Sequence, residues 1–106
     1  MGPKTIELIN ELDECAKLLR GCSEDHWAQW LEKSSALLKN GHFRGIEHFE
    51  KAFGGMGSAN DLILHPVNGH SIRETEVDMY NKKLKQHFDK SHKLAAEMRK
   101  NAVFEK

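Results

Sequence analysis

Residues 72–100 contain neither glycine nor proline, and their small or apolar side chains recur with a period near 3.5 residues. The recurring positions are Val77, Tyr80, Leu84, Phe88, Ser91, Ala95 and Met98. This pattern predicts one amphipathic helix of about 28 residues, roughly 40 Å long. Ser71 and Glu74 fit the S-x-x-E capping box that begins such a helix. A chain of 106 residues is too small to bury so long a helix throughout. We therefore expect its C-terminal part to project or to meet a partner.

Three shorter helices are predicted before the long one, because apolar residues recur there at spacings of three and four and a glycine follows each segment. The segments are about 5–20, 23–39 and 43–53. Strand signals are confined to residues 62–64, and a single strand has no partner. We therefore predict an all-α fold, a four-helix, bundle-like single domain over residues 1–106. A long structured Gly-rich connection, 54–71, precedes the last helix.

The charge balance and the cysteines limit the classes of partner and compartment. Sixteen basic and sixteen acidic residues give a formal charge of zero, so no whole-molecule field draws the chain to nucleic acid or anionic lipid. No stretch approaches the roughly 20 apolar residues that span a bilayer, and the N-terminus lacks a signal-peptide pattern. The expected location is the cytoplasm. There we expect Cys15 and Cys22 to be free structural thiols, although their spacing leaves a disulfide open.

The Gly-rich connection is long for a helical bundle, and connections of this length are usually functional or disordered. Disorder fits poorly, because five of its side chains are apolar: Met56, Leu62, Ile63, Leu64 and Val67. We therefore expect the segment to fold back onto the bundle, with its glycines supplying positive φ or close backbone approach. Ser58 or Asn60 is expected to cap a short helical turn.

The segment FGGMGSANDLILH resembles a motif of a family of small uncharacterised bacterial proteins. That motif consists of an aromatic residue, GGMGS, one variable position, ND, two apolar positions and Leu-His. The matching residues are Phe53, Gly54, Gly55, Met56, Gly57, Ser58, Asn60, Asp61 and His65. The resemblance implies a small cytoplasmic bacterial protein, and it implies no catalytic residue.

The glycines also invite comparison with a phosphate-binding loop. Backbone amides of Gly54, Gly55, Gly57 and Ser58 could cradle a phosphate ahead of a helical turn. A P-loop, however, needs GxxxxGK[ST] after a strand, whereas this segment has no lysine and follows a helix. We therefore favour a structural turn that lets Phe53 and Met56 pack.

Two further chemistries use the polar residues of the connection. Asp61, His65 and His70 are residue types that form a three-ligand metal site. Ser58, Asp61 and His65 are the residue types of a catalytic triad, but they lie only seven residues apart, whereas triads draw on separated elements. We assign no catalytic residue, metal or cofactor, and we interpret these side chains as caps and loop contacts.

Two features of the predicted first and second helices suggest partner contacts. Trp27 and Trp30 lie three residues apart and share a face. Core packing is the favoured interpretation, but a partly exposed tryptophan would be an interface anchor. The first helix carries an acidic pole made of Glu7, Glu11, Asp13 and Glu14. Such a pole suits the blocking of a basic, nucleic-acid-cleaving active site by charge complementarity.

The last predicted helix carries a basic stripe. Its cations are Lys82, Lys83, Lys85, Lys90, Lys93, Arg99 and Lys100, against only Asp89 and Glu97 between residues 82 and 100. The stripe could follow a nucleic-acid backbone, meet an acidic partner, or be a solvated face whose cations favour the helix C-terminus. We favour the solvated face.

These observations lead to three hypotheses of function. The leading one is a small cytosolic bacterial binding protein that acts by stoichiometric occlusion of a protein partner, as immunity or antitoxin proteins do. The alternative is a metal-dependent or phosphate-handling enzyme that uses the 54–70 loop. The third is nucleic-acid binding along the basic C-terminal helix. A homodimer through that helix also remains open.

Overall fold

Four α-helices form the fold, and the part of the chain that the structure describes contains no strand. The structure is a computed structural model, which describes the backbone of residues 2–104 and the side chains of residues 2–101. The helices are α1 (Pro3–Gly21), α2 (Asp25–Lys39), α3 (Arg44–Glu50) and α4 (Val77–Phe104). Single 3₁₀ turns lie between α3 and α4 at Ala59–Asp61, Pro66–Asn68 and Glu74–Glu76. The predicted all-α fold with a Gly-rich connection before a long last helix is confirmed.

The central element is α1, which packs against α2 and against α4. Its buried residues are Leu8, Ile9, Leu12, Cys15, Ala16 and Leu19, the face that the apolar spacing predicted. The neighbouring helices contribute Ala28, Leu31 and Leu38 from α2 and Leu84, Leu94 and Ala95 from α4. Burying one leucine side chain contributes roughly 1.5–3 kcal/mol, so this shared core is the main stabilising contact of the fold.

The short helix α3 bridges α2 and α4 through aromatic side chains. Phe49 is fully buried and its ring lies 5.2 Å from that of Phe53. Phe53 in turn packs edge-on against Phe88, at 5.0 Å, and against His92, at 4.3 Å. The expected packing of Phe53 is therefore found, although Phe53 lies three residues beyond the end of α3.

Two residues that the sequence pattern places at helix boundaries, Gly21 after α1 and Ser71 before α4, do not have the expected capping roles. Gly21 is the last residue of α1, and the positive φ of the α1–α2 turn falls on Ser23, at 63°. Ser71 does not cap α4: its hydroxyl lies 2.6 Å from that of Ser23, and its N–H donates to the Cys22 carbonyl at 3.0 Å. The α4 helix begins six residues later, because a 3₁₀ turn over Glu74–Glu76 precedes it.

The helix α4 is packed along more of its length than its size suggested. Leu94 and Ala95 are buried, Glu97 pairs with Lys4 of α1, and Arg99 binds Glu50 of α3 with an Nε–Oε1 distance of 2.8 Å. The helix therefore does not project up to residue 99, and the side chains of 102–104 lie outside those described. The alternative expectation, that the C-terminal part of the helix meets a partner, stays a prediction. The molecule is elongated along this helix, with extents of 49 × 24 × 19 Å.

Gly45 allows the close approach of α3 to α2. A Cβ atom built on Gly45 would lie 2.8 Å from Leu38 Cγ and 2.9 Å from the Ser34 carbonyl oxygen. We expect Gly45→Ala to lower the free energy of unfolding by about 1–3 kcal/mol, because the two helices must separate. Gly21→Ala is the matched control. A Cβ there meets nothing within 4 Å, and we expect a gain of at most about 1 kcal/mol. Urea unfolding measures both, and equal effects would contradict the close approach.

The buried Cys15 thiol makes the free energy of unfolding fall as the pH becomes alkaline. Both cysteines are free and buried, and burial, followed by the charge of Glu11, raises the pKa of Cys15 from 9.0 to about 12. The unfolded chain ionises this thiol first, so stability is full below pH 9 and falls by about 1.4 kcal/mol per pH unit between 9 and 12. We expect Cys15→Ala to lose less stability than the wild type between pH 8 and pH 10 in urea unfolding. Equal losses of unfolding free energy in Cys15→Ala and in the wild type would show that this thiol does not contribute to the pH dependence.

Candidate functional site

A tight turn follows α3 at residues 54–58. Gly54, Gly55 and Gly57 have positive φ values of 97°, 86° and 78°, and a Cβ on any of them would meet nothing within 4 Å. Of the two roles expected for these glycines, the structure therefore shows the backbone conformation and not the close approach. Asp61 closes the turn, because its Oδ2 accepts the Gly57 N–H at 2.8 Å.

The turn is tied back to the end of α3. Ala59 is buried, and its N–H donates to the Ala52 carbonyl at 2.8 Å. Ser58 caps the short 3₁₀ turn that follows, since its hydroxyl accepts the Asn60 N–H at 3.3 Å. Asn60 itself is exposed. Ser58 and Asp61 thus use their side chains on the backbone of their own loop.

The apolar residues of the connection are divided between the core and solvent. Leu64 is fully buried and Leu62 is partly buried, whereas Ile63 is 59% exposed, Val67 is 83% exposed and Met56 is fully exposed. The expectation that all five fold onto the bundle is therefore wrong for three of them. The backbone is extended at Leu62 and at His65, the two ends of segment 62–65. In an extended chain successive side chains point to opposite sides. Burying Leu64 therefore turns Ile63 outward.

Asn81 of α4 fixes this extended segment. Its Oδ1 accepts the Leu64 N–H at 2.8 Å, and its Nδ2 donates to the Leu64 carbonyl, also at 2.8 Å. A single side-chain amide thus replaces the strand partner that the segment lacks. The same Nδ2 donates to the Val77 carbonyl one turn earlier, which holds the amide in one orientation.

A buried histidine attaches the connection to the start of α2. His70 Nδ1 accepts the His65 N–H at 3.0 Å, so the ring proton lies on Nε2, which donates to Glu24 Oε1 at 3.0 Å. Glu24 is also the N-cap of α2, because its Oε2 accepts the Trp27 N–H. His65 uses its own Nδ1 to accept the Val67 N–H. Both histidines therefore have structural contacts within the loop and its anchor.

The candidate catalytic and metal-binding residues do not converge on one pocket. Asp61 binds the turn backbone, His65 binds Val67, and His70 is buried against Glu24. Among the described side chains, no three histidines, cysteines, aspartates or glutamates lie close enough together to hold a metal ion. Asp61, His65 and His70 therefore form no metal-binding group in this arrangement.

The connection and α4 enclose a groove of about 540 Å³, which we call the α4 groove. Its apolar lining consists of Ala59, Leu62, Ile63, Val77, Leu84 and Phe88, and its polar lining of Asn60, Asp78, Asn81, Lys85 and Asp89. Lys85 and Asp89 pair with each other at 2.8 Å. Asp78 is exposed and makes no ion pair with any described residue. The α4 groove is thus a cleft of mixed apolar and polar lining in which one carboxylate, that of Asp78, makes no ion pair with a described residue. Sequence reasoning missed it, because its two walls are far apart in the chain.

Half of the acidic pole of α1 is engaged within the molecule, beginning with Glu11. The side chain of Glu11 is only 13% exposed. One of its oxygens binds His87 Nδ1, and the other lies 3.4 Å from Lys90 Nζ. Glu11 therefore joins α1 to α4 and does not face a partner.

Asp13 is engaged in the same way, on the α2 side of α1. It accepts the Ser35 hydroxyl at 2.6 Å and pairs with Lys39 at 2.9 Å. Glu7 and Glu14 are exposed and make no ion pair with the described residues. The use of α1 as a partner surface stays a prediction, and only these two carboxylates remain free to serve it.

The two tryptophans are partly buried at the edge of the core. The Trp30 ring stacks on His48 at 4.3 Å between centroids and 19° between planes, and its Nε1–H donates to the His48 carbonyl at 2.8 Å. Trp27 meets Trp30 edge-on at 5.8 Å. Trp30 thus joins α2 to α3, and an anchoring role for either ring stays a prediction.

The basic stripe of α4 is interrupted by ion pairs. Lys85 pairs with Asp89, Lys90 with Glu11, and Arg99 with Glu50. The remaining cations of the stripe, unpaired among the described residues, are Lys82, Lys83, Lys93 and Lys100. No helix in the described part of the chain is both long and apolar enough to cross a membrane.

The structure so far defines an all-α protein whose Gly-rich connection is fixed by side chains from two helices. Residues 20–73 match the family described as Domain of unknown function (DUF6966). This match covers 54 of the 106 residues, just over half, and the chain belongs to that family. The matched region contains α2, α3 and the connection up to Arg73. The resemblance to an uncharacterised family is therefore confirmed, whereas the motif as its signature stays a prediction. No curated protein and no solved structure matches the chain.

Asn81 allows a direct test of how the connection is held. We expect Asn81→Ala to lower the free energy of unfolding by about 1–3 kcal/mol, because both backbone groups of Leu64 lose their partner. The Leu64 amide should then exchange its hydrogen with solvent faster. Asn68→Ala is the control, since Asn68 makes one exposed bond, to the Ile63 carbonyl. We expect it to cost less than about 1 kcal/mol. An unchanged exchange rate of the Leu64 amide in Asn81→Ala would contradict the assigned contact.

Proposed function

We propose that this protein is a small bacterial cytoplasmic binding protein that acts by stoichiometric occlusion of a protein partner, as immunity or antitoxin proteins do. The supporting observation is the exposure of Met56, Ile63 and Val67 on a connection whose backbone is held in place. Exposed apolar side chains mark interaction sites where they adjoin one another on a surface. A preorganised surface also binds with less loss of conformational entropy than a flexible one.

The α4 groove indicates what such a partner presents. Its apolar lining accepts an apolar side chain, and Ile63 belongs both to the groove and to the exposed set. Asp78 in its lining accepts a cation. We therefore propose that the partner inserts an apolar side chain flanked by a lysine or arginine.

The charge of the surrounding segment supports a basic partner. Residues 54–78 contain four carboxylates, Asp61, Glu74, Glu76 and Asp78, against one arginine, Arg73, which gives a net charge of −3. Complementary charge speeds association and discriminates between partners. An acidic and apolar surface suits a basic, nucleic-acid-cleaving active site. We therefore propose that the acidic partner surface lies on the connection and the start of α4, and not on α1.

The alternative hypotheses have less support. A metal-dependent or phosphate-handling enzyme would need Asp61, His65 and His70 to face a common open pocket, and each of them contacts the loop or its anchor instead. Nucleic-acid binding along α4 would need a continuous basic stripe, and three of its cations are paired. A homodimer through α4 remains compatible with the exposed start of that helix, where Met79 is 45% exposed.

The proposal is tested by affinity capture from the source bacterium, followed by measurements with the purified partner. We expect a basic protein retained in a one-to-one ratio, whose own activity is lost when one equivalent of this protein is added. Ile63→Ser should weaken binding by tenfold or more, since a central apolar contact contributes roughly 1.4 kcal/mol or more. Calorimetry measures the dissociation constants.

Ile6→Ser is the matched control, because Ile6 is a similarly exposed isoleucine on α1. We expect its binding to equal that of the wild type. Failure to retain any partner in a one-to-one ratio would contradict the proposal. Equal weakening by Ile6→Ser and Ile63→Ser would show that the loss of affinity is not specific to the α4 groove and would contradict the proposed site.

A further inference from the structure

Three cations line a groove of about 340 Å³ between α2 and α3. They are Lys33 on α2 and Arg44 and Lys51 at the two ends of α3. We call this feature the cationic groove. It lies outside the connection and outside the α4 groove, and the proposed protein partner gives it no role.

The cations of this groove are available to a ligand. Lys33, Arg44 and Lys51 are exposed and make no ion pair with any described carboxylate. Glu47 is the one carboxylate in the lining, so the groove has two more cations than anions. Elsewhere the long cationic side chains are often neutralised, as in the pairs of Arg20 with Glu32 and Arg99 with Glu50.

The spacing of the cations suits a chain of anionic groups. Arg44 and Lys51 are seven residues apart, about two helical turns, so their Cα atoms lie roughly 10 Å apart. Lys33 approaches from the other helix. Successive anionic groups along a polymer can contact all three cations at once.

An aromatic ring stands beside the cations. His48 lines the cationic groove, and its ring stacks on Trp30. The ring is held in place, because His48 Nδ1 lies 2.7 Å from the Ser34 hydroxyl and the His48 carbonyl accepts the Trp30 Nε1–H. Proteins that bind single-stranded nucleic acid combine such a fixed ring, on which a base stacks, with cations that follow the backbone.

We propose that the cationic groove binds a short segment of single-stranded nucleic acid, with phosphates at Lys33, Arg44 and Lys51 and a base against His48. An acidic peptide would pair with the three cations, but its carboxylates would not stack on the His48 ring. Glu47 repels phosphate locally and can accept a hydrogen bond from the amino group of a base. The zero net charge of the chain conceals this site, because the compensating acids lie elsewhere on the molecule.

The electrostatics of His48 provide an internal reporter. Its pKa is lowered by burial and then by the charges of Lys33 and Lys51. The groups facing its ring side of the groove are Lys33 from α2 and Arg44, Glu47 and Lys51 from α3. A bound strand changes these surroundings, so we expect the resonances of the His48 ring to shift on binding. Nuclear magnetic resonance titration of the His48 ring, with and without the strand, measures this change.

Binding itself is measured by fluorescence anisotropy with three labelled probes of matched charge. They are a ten-nucleotide single strand, an abasic strand of the same length, and a glutamate peptide. We expect the single strand to bind at least threefold more tightly than either of the others, and its affinity to fall with salt. Equal binding of the abasic strand would overturn the proposal in favour of an anion site without base recognition. Tighter binding of the peptide would overturn it in favour of an acidic protein partner.

Substitutions locate the site. We expect the double change Lys33→Gln and Lys51→Gln to weaken strand binding at least tenfold and to reduce the salt slope by about 1.4, from the loss of two contacts to a single strand. The control is Lys82→Gln with Lys83→Gln, which removes the same charge from α4 and should leave binding unchanged. If the control pair weakens binding as much as the groove pair, the basic stripe of α4 is the site and the proposal fails. Unchanged resonances of the His48 ring in the presence of saturating strand would also overturn it.

Discussion

The connection between α3 and α4 lies fixed over the bundle because side chains, and not a neighbouring strand, satisfy its backbone. Asn81 forms hydrogen bonds with both the N–H and the carbonyl of Leu64. His70 accepts the His65 N–H and donates to Glu24. Asp61 accepts the Gly57 N–H. Without these partners, backbone groups near the core would lose their contacts with water and gain none in return. The extended conformation that results commits Leu64 to the core and Ile63 to solvent. Both the α4 groove and the exposed apolar surface follow from that constraint.

The surface charge of this protein depends on which charged side chains form ion pairs within the molecule. Glu11 of α1 pairs with Lys90 of α4, and Asp13 of α1 pairs with Lys39 of α2. Arg99 of α4 pairs with Glu50 of α3. Such pairs interrupt the acidic and basic faces of the two long helices, where Glu7 and Glu14 and four lysines of α4 stay unpaired among the described residues. The molecule also has an acidic, apolar surface along the connection and a basic groove between α2 and α3. A neutral chain therefore presents two local fields of opposite sign, which suit two different kinds of ligand.

The sequence predicted the elements of the fold well, because helical periodicity is a local property. The buried face of α1 and the absence of a break in α4 are both visible in the spacing of their residues. Boundary signals were less reliable, because they compete with tertiary contacts. Ser71 has a residue pattern that fits a capping box, but its hydroxyl binds Ser23 and its N–H binds Cys22, so α4 begins later. The glycines were correctly associated with positive φ, which is also a local requirement.

The sequence by itself determined that this chain is helical, that its last helix is long, and that a Gly-rich turn interrupts the helices after Phe53. Only the tertiary structure decided which side of the connection faces water, which carboxylates stay free, and which cations share a groove. Those outcomes depend on contacts such as Leu64 with Asn81 and Glu11 with His87, whose partners are 17 and 76 residues apart. A periodic pattern reports the face of a single helix, but it does not report which neighbour that face meets.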